Sequence, residues 1–162
     1  MSIVDTDALV IGGGPAGSTC ARALRRSGMD VAVLDKQAFP RDKVCAGWIT
    51  PAVVNALELD LADYARERTL QPLHGFRVSM MGRREADVQY GEPVSYGIRR
   101  CEFDDYLLGR SGARLFPGEP FADMRRDDDG KWVVNHRIRT PPRDRCRRPF
   151  LPGGQAPGGA PW

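Results

Sequence analysis

Histidine is almost missing from this chain: His74 and His136 are the only two in 162 residues. Neither has a partner at triad or metal-ligand spacing, so both read as structural or exposed residues rather than as catalytic ones. Cysteine is sparse and scattered as Cys20, Cys45, Cys101 and Cys146. Without a Cys-x-x-Cys pair there is no metal site and no disulfide framework to read, and the pattern points to a reducing, cytoplasmic setting. Long apolar runs are absent too. The first residues carry Asp5 and Asp7, and their short apolar stretch gives way at once to glycines, which is neither a secretory signal nor a transmembrane segment. Nor is there a basic field: the net charge is +3, and Arg143, Arg145, Arg147 and Arg148 against Asp144 account for all of it. Residues 1–140 are therefore neutral overall, which excludes a nucleic acid partner. No internal repeat and no acid–base pair emerges. What remains, 41% hydrophobic and 28% charged, suits about one globular domain.

The positive signal lies between Asp7 and Asp35. An apolar run, Ala8-Leu9-Val10-Ile11, leads into Gly12-Gly13-Gly14-Pro15-Ala16-Gly17, then a helix-prone stretch ending near Gly28, then Val31-Ala32-Val33-Leu34-Asp35. This is a dinucleotide fingerprint in its full strand, turn, helix and strand context. Gly12 permits the sharp turn, Gly14 lets the backbone approach a pyrophosphate, and Gly17 lets the helix lie close on the strand. The phosphates would meet the free N–H groups at the helix start. Asp35, 23 residues after Gly12, can accept hydrogen bonds from a ribose diol, and its charge repels the 2′-phosphate of NADP. The fingerprint alone leaves FAD and NAD both open.

The fold class read from the chain is α/β. Ala16–Arg26 is a helix with Gly28 past its end. Pro51–Leu57 is a helix with Thr50 as N-cap and Pro51 in the first turn, and Leu59–Arg66 follows as another. From Gly75 the pattern changes to short alternating stretches, Phe76–Met80 and Ala86–Tyr90, which read as a smaller antiparallel sheet. Phe103, Tyr106 and Leu107 at helical spacing place a helix over Glu102–Arg110, where Asp104 and Asp105 suit the helix start. Phe121–Arg126 and Lys131–Asn135 flank Asp127-Asp128-Asp129-Gly130, a hairpin signal.

A second stretch, Phe39-Pro40-Arg41-Asp42-Lys43-Val44-Cys45-Ala46-Gly47-Trp48, and a third, Arg100-Cys101-Glu102-Phe103-Asp104-Asp105-Tyr106-Leu107, complete the pattern. With the fingerprint, they resemble FAD-dependent oxidoreductases of the geranylgeranyl reductase type, relatives of flavin monooxygenases and tryptophan halogenases. In that family a Pro-Arg-x-Lys-x-Cys-Gly-Gly loop follows the ribose-side acid, and an Arg-x-x-Phe-Asp-x-x-Leu helix comes later. The resemblance covers residues 5–140. This chain departs from it at Ala46, where the family has glycine.

The resemblance implies a Rossmann-type, glutathione-reductase-like βαβ unit over residues 5–50, with an incomplete substrate domain interleaved from about residue 70. It implies an FAD held by Gly12, Gly14, Pro15, Ala16, Gly17, Asp35, Lys36, Arg41, Lys43 and Arg100. Charge placement supports this: Arg41 and Lys43 follow the acid-tipped strand, and Arg100 precedes a helix start favourable to anions; the plain alternative is that they are solvated surface cations. Cys45, Ala46 and Gly47 form the substrate or flavin-side loop, in which Cys45 is either a flavin-facing thiol or a small buried filler. Trp48 and Trp132 are core or interface aromatics, Trp48 being placed to line the pocket. Catalysis then belongs to the flavin: a substrate double bond is reduced, NAD(P)H serving as external donor, or oxygen is activated for hydroxylation or halogenation. The substrate is a small, apolar molecule. No catalytic side chain is assigned.

Family members are considerably longer, and their later Gly-Asp flavin motif has no counterpart here, so a fragment with uncovered sheet edges and apolar faces is expected. Residues 141–162 hold six prolines, four glycines and four arginines and read as disordered. A native tail is one source of such a segment. A shifted reading frame is the other: Asp144–Pro152 can be encoded so that a one-nucleotide shift reads Ile-Gly-Ala-Gly-Gly-His-Phe-Cys-Pro, which resembles the glycine-rich segment expected next.

Overall fold

The structure is a computed structural model that describes residues 3–82 and 84–142; the reading of residues 143–162 as disordered or frameshifted falls outside them. In chain order, β1 (Val4–Asp5) and β2 (Ala8–Ile11) lead into α1 (Pro15–Arg26) and β3 (Val31–Asp35). There follow β4 (Trp48–Ile49), α2 (Pro51–Ala56), α3 (Leu61–Ala65), β5 (Leu70–Leu73), β6 (Gly75–Ser79), β7 (Glu85–Gln89), β8 (Ser95–Ile98) and α4 (Arg100–Arg110). The chain closes with β9 (Arg114–Pro117), β10 (Met124–Arg126), β11 (Trp132–Val134) and β12 (Ile138–Thr140). These form two compact units, one of residues 3–39 with 107–142 and the other of Pro40–Tyr106, the boundary falling within α4.

The first unit is built around β3. Parallel pairing runs in the order β2-β3-β9, with Val10 opposite Val33 and Val33 opposite Leu115. A central parallel strand is buried on both faces, hence the unbroken run Val31-Ala32-Val33-Leu34, exposed by 2% or less. Its alternate residues serve two cores. Val31 and Val33 pack with Ala8, Ala21 of α1 and Leu108. Ala32 and Leu34 pack with Phe116, Val134 and Ile138. The last two belong to a second sheet, β1-β12-β11-β10, in which β12 pairs parallel with β1. Residues 107–142 thus contribute to both cores around β3, through contacts between residues about a hundred positions apart.

The second unit holds the antiparallel sheet β4-β8-β5 and the ribbon β6-β7. Tyr64 is its largest fully buried side chain, edge-on to Tyr106 at 5.0 Å and to Phe103 at 6.1 Å. Burial pushes the Tyr64 phenol up to about 12, with Glu102 adding to the rise.

Local chemistry shifts several boundaries. α3 starts at Leu61 because the Asp60 carboxylate accepts from Ala62 N and Asp63 N. Thr50 occupies the N-cap position of α2, yet its hydroxyl makes no capping bond. α4 begins two residues before Glu102. The Asp127–Gly130 turn forms as expected, with Lys131 N donating to Asp127 Oδ1 at 2.8 Å. Phe121–Asp123 stay out of the hairpin because the Asn135 amide takes their backbone: Ala122 N donates to Oδ1 and Nδ2 donates to Pro120 O.

Candidate functional site

The fingerprint turn lies wholly in the first unit. Gly12 has φ of +102°, a conformation other residues avoid, and its N–H donates to Leu34 O at 2.7 Å. That bond ties the turn to the end of β3. A second tie follows: Gly13 N donates to Asp35 Oδ2 at 2.7 Å. The other carboxylate oxygen of Asp35 accepts from Gln37 N at 2.9 Å. Since each carboxylate oxygen can accept more than one bond, Asp35 keeps acceptor capacity while it orders the loop.

Gly14 is the N-cap of α1 at φ −70°, ψ −177°, and Pro15 stands at the first helical position. Any residue can adopt the Gly14 backbone, so no conformational demand requires glycine there. Gly17 is required by packing: a Cβ on it would lie 1.8 Å from Gly12 O. The N–H groups of Ala16 and Gly17 lie in the first turn, where an α-helix offers no internal acceptor. Sequence reasoning passed over Ser18. It is buried, and its hydroxyl donates to Gly13 O at 2.8 Å, bracing the turn from beneath; a hydroxyl directly after the third glycine was the available signal. Lys36, next to Asp35, is exposed.

The remaining site residues belong to the second unit. Arg41 and Arg100 are not solvated cations. Asp104, fully buried in α4, takes Arg100 Nε at 2.5 Å and Arg41 Nη2 at 3.2 Å, and the Arg41 side chain is 9% exposed. Asp104 is therefore not a carboxylate that merely suits a helix start. It lies in the second turn, and the Arg-x-x-x-Asp spacing was its signal. Lys43 is exposed.

Cys45 is exposed rather than a buried filler. Its thiol is held below its ordinary value, first by the Gly47 N–H and then by the Arg100 guanidinium, both of which favour the thiolate. Gly47 carries the conformational demand of this loop: φ is +68°, and a Cβ would stand 2.6 Å from Ile98 O. Ala46 is not among the residues at positive φ, so the departure from glycine there costs the backbone nothing. Trp48 is 51% exposed and packs against Phe76 at 5.7 Å. In the first unit, His136 Nε2 lies 3.3 Å from an Asp123 carboxylate oxygen on the surface.

A glycine turn bonded to the acid, an open helix start and an acid with spare acceptor capacity suit an adenosine diphosphate group. Comparison with known proteins bears on what larger molecule carries it. A family model described as "FAD dependent oxidoreductase" matches residues 7–85. Menaquinone reductase of Mycolicibacterium smegmatis is 36% identical over 135 residues, covering 77% of this chain and 32% of that protein. A 1H-pyrrole-2-carbonyl-[peptidyl-carrier protein] chlorinase of Pseudomonas fluorescens is 27% identical, covering 85% of this chain and 36% of the other. Among solved structures, a geranylgeranyl bacteriochlorophyll reductase-like protein of Thermoplasma acidophilum superimposes with a TM-score of 0.67 at 22% identity, over 86% of this chain and 38% of that one. The chain thus spans about a third of the length of the proteins it matches.

Proposed function

We propose that this chain, whose residues 7–85 match a family model described as FAD dependent oxidoreductase, holds the adenosine diphosphate half of FAD for reduction of a substrate double bond. The observation that carries this reading is the Gly12–Gly17 turn pinned to Asp35 through Gly13 N. Gly14, Pro15, Ala16 and Gly17 would receive the pyrophosphate at the start of α1, and Asp35 the ribose diol, with Lys36 beside it. Arg41, Lys43 and Arg100 supply positive charge on the second unit, and Cys45, Ala46 and Gly47 form the flavin-side loop. When bound, the flavin supplies two-electron redox chemistry. The protein residues bind and orient.

Reduction is favoured over halogenation because the menaquinone reductase is the more similar relative. Halogenation, or oxygenation, is the second reading. An apolar substrate is supported by the ribbon β6-β7: Phe76 faces Val88 and Val78 faces Ala86 across one side, with exposed Trp48 against Phe76. The negative charge of Asp35 disfavours a 2′-phosphate in this cleft, so NAD(P)H would act as an external donor. Free thiols at Cys20, Cys45 and Cys101 support a cytoplasmic setting. No helix among the described residues is long and apolar enough to cross a membrane.

Titrating the purified chain with FAD and following flavin fluorescence tests the reading. FAD should bind, ADP should compete, and FMN, which lacks the adenosine half, should not bind. Gly14→Val should abolish binding by filling the phosphate approach. A folded Gly14→Val chain that retains FAD sinks the assignment.

A further inference from the structure

Arg41–Gly47 has neither helix nor strand, and residues 42–46 are exposed. Its two ends carry tethers. At one end Ile98 N donates to Gly47 O at 2.8 Å, just where β4 begins to pair with β8. At the other, Arg41 Nη2 lies 3.2 Å from Asp104 Oδ2, with the Arg41 side chain 9% exposed and the carboxylate fully buried. The second oxygen of Asp104 accepts from Arg100 Nε at 2.5 Å, four residues earlier in α4. Each guanidinium therefore has a carboxylate oxygen of its own. A carboxylate withdrawn from water has to be paired, so the burial of this face of α4 draws Arg41 inward and the start of the loop with it.

We propose that Asp104 is the positioning residue of this loop: through Arg41 it fixes the start of the segment that ends in Cys45, Ala46 and Gly47, and so sets the flavin-side contacts without touching the cofactor. The inference rests on the flavin reading above, which gives that segment its role. A neutral side chain of the same shape cannot replace the carboxylate. Asparagine offers one accepting oxygen and one donating nitrogen, so one of the two guanidiniums would face a donor. Arg41 would then turn towards water, and the loop would lose one of its two tethers. Glutamate keeps the charge and both accepting oxygens, but adds a methylene at a position with no exposure. Packing alone would thus tolerate asparagine better than glutamate. Anchoring reverses the order.

Calorimetric titration of the full chain with FAD and with ADP, for the wild type, Asp104→Asn and Asp104→Glu, reads that order. The wild type should bind FAD more tightly than ADP. Asp104→Asn should lose about tenfold in FAD affinity, the equivalent of one charge-assisted bond, and Asp104→Glu should lose less. ADP, which lacks the flavin, should bind all three alike. In the cofactor-free chain, hydrogen exchange read by mass spectrometry should speed up over residues 42–47 in Asp104→Asn. An Asp104→Asn chain with native FAD affinity, or an Asp104→Glu chain that binds FAD more weakly than it, overturns the proposal. A wild type with no preference for FAD over ADP also overturns it, while leaving the adenosine diphosphate cradle standing; a wild type that binds neither removes the flavin reading and the proposal together. If circular dichroism shows that Asp104→Asn does not fold, Arg41→Met and Arg41→Lys decide in the cofactor-free chain. Methionine should release residues 42–47 to exchange, and lysine, which keeps a cation for Asp104, should release them less. Equal exchange in the two refutes the anchoring.

Discussion

Gly17→Ala adds one methyl group at the point where α1 meets the fingerprint turn. Its Cβ would lie 1.8 Å from Gly12 O, 3.0 Å from Gly12 C and 3.3 Å from Val10 Cγ1. Gly12 O is backbone, held in a turn whose N–H is bonded to Leu34 O, so relief requires the turn and the helix to move apart by more than an ångström. Alanine gains at most about 1 kcal/mol over glycine in helix propensity, and less in a first turn. Overpacking of this kind costs about 1–3 kcal/mol and sometimes more. The net expectation is a loss of about 2 kcal/mol, or roughly 4–8 °C in Tm for a chain of this size. FAD affinity should fall further, since Gly13, Gly14 and Ala16 move with the turn. Gly109→Ala is the matched control: it sits in α4 with nothing within 4 Å of its would-be Cβ, so it should stabilise by about 0.5–1 kcal/mol. Urea unfolding followed by circular dichroism, with FAD titration beside it, reads both. A Gly17→Ala chain with native stability and native affinity would refute the packing argument.

Asp35→Ala removes the acceptor for Gly13 N and Gln37 N as well as the proposed ribose contact. With charge-assisted bonds worth about 1.5–3 kcal/mol each, FAD titration should show affinity at least about tenfold weaker, and urea unfolding a lower midpoint without ligand. Glu102 is held below the usual carboxylate range, first by the Thr69 N–H and with help from Arg99. Its folded form binds fewer protons than the unfolded chain, so its contribution is complete above the ordinary carboxylate value and is lost as pH falls through the lowered one. Glu102→Gln should cost about 1 kcal/mol at pH 7 and almost nothing in strong acid, as equilibrium unfolding across pH would reveal. Gly47→Ala, which meets Ile98 O at positive φ, should destabilise by about 1–3 kcal/mol, whereas Ala46→Gly should leave FAD binding nearly unchanged; thermal melts and flavin titration separate the two.

Much of the first unit was legible because its signals are local. The Gly12–Gly17 spacing forces a strand-turn-helix whatever surrounds it, and the apolar run at Val31–Leu34 announces a strand buried on both faces. The Asp127–Gly130 turn writes its own hairpin. Arg114–Pro117 and Ile138–Thr140 went unread as strands because three or four residues carry too little periodicity to stand out. They are strands only because β3 and β1 offer them ladder partners. Arg41 and Arg100 read as cofactor-side cations, with solvated surface charge as the alternative; their shared burial against Asp104 was not legible, because that partner lies 63 residues from one of them and four from the other.

By itself, then, the sequence determined the dinucleotide fingerprint, the acid that follows it and the mixed α/β class, for each is written in contiguous residues whose backbone demands are met within a turn or two. Only the tertiary structure decided that residues after 106 return to complete the first unit, that Asp35 braces its own turn, and that the buried Asp104 gathers two arginines. These depend on burial and on partners distant along the chain. A carboxylate becomes an anchor rather than a solvated charge only once packing has removed water from around it.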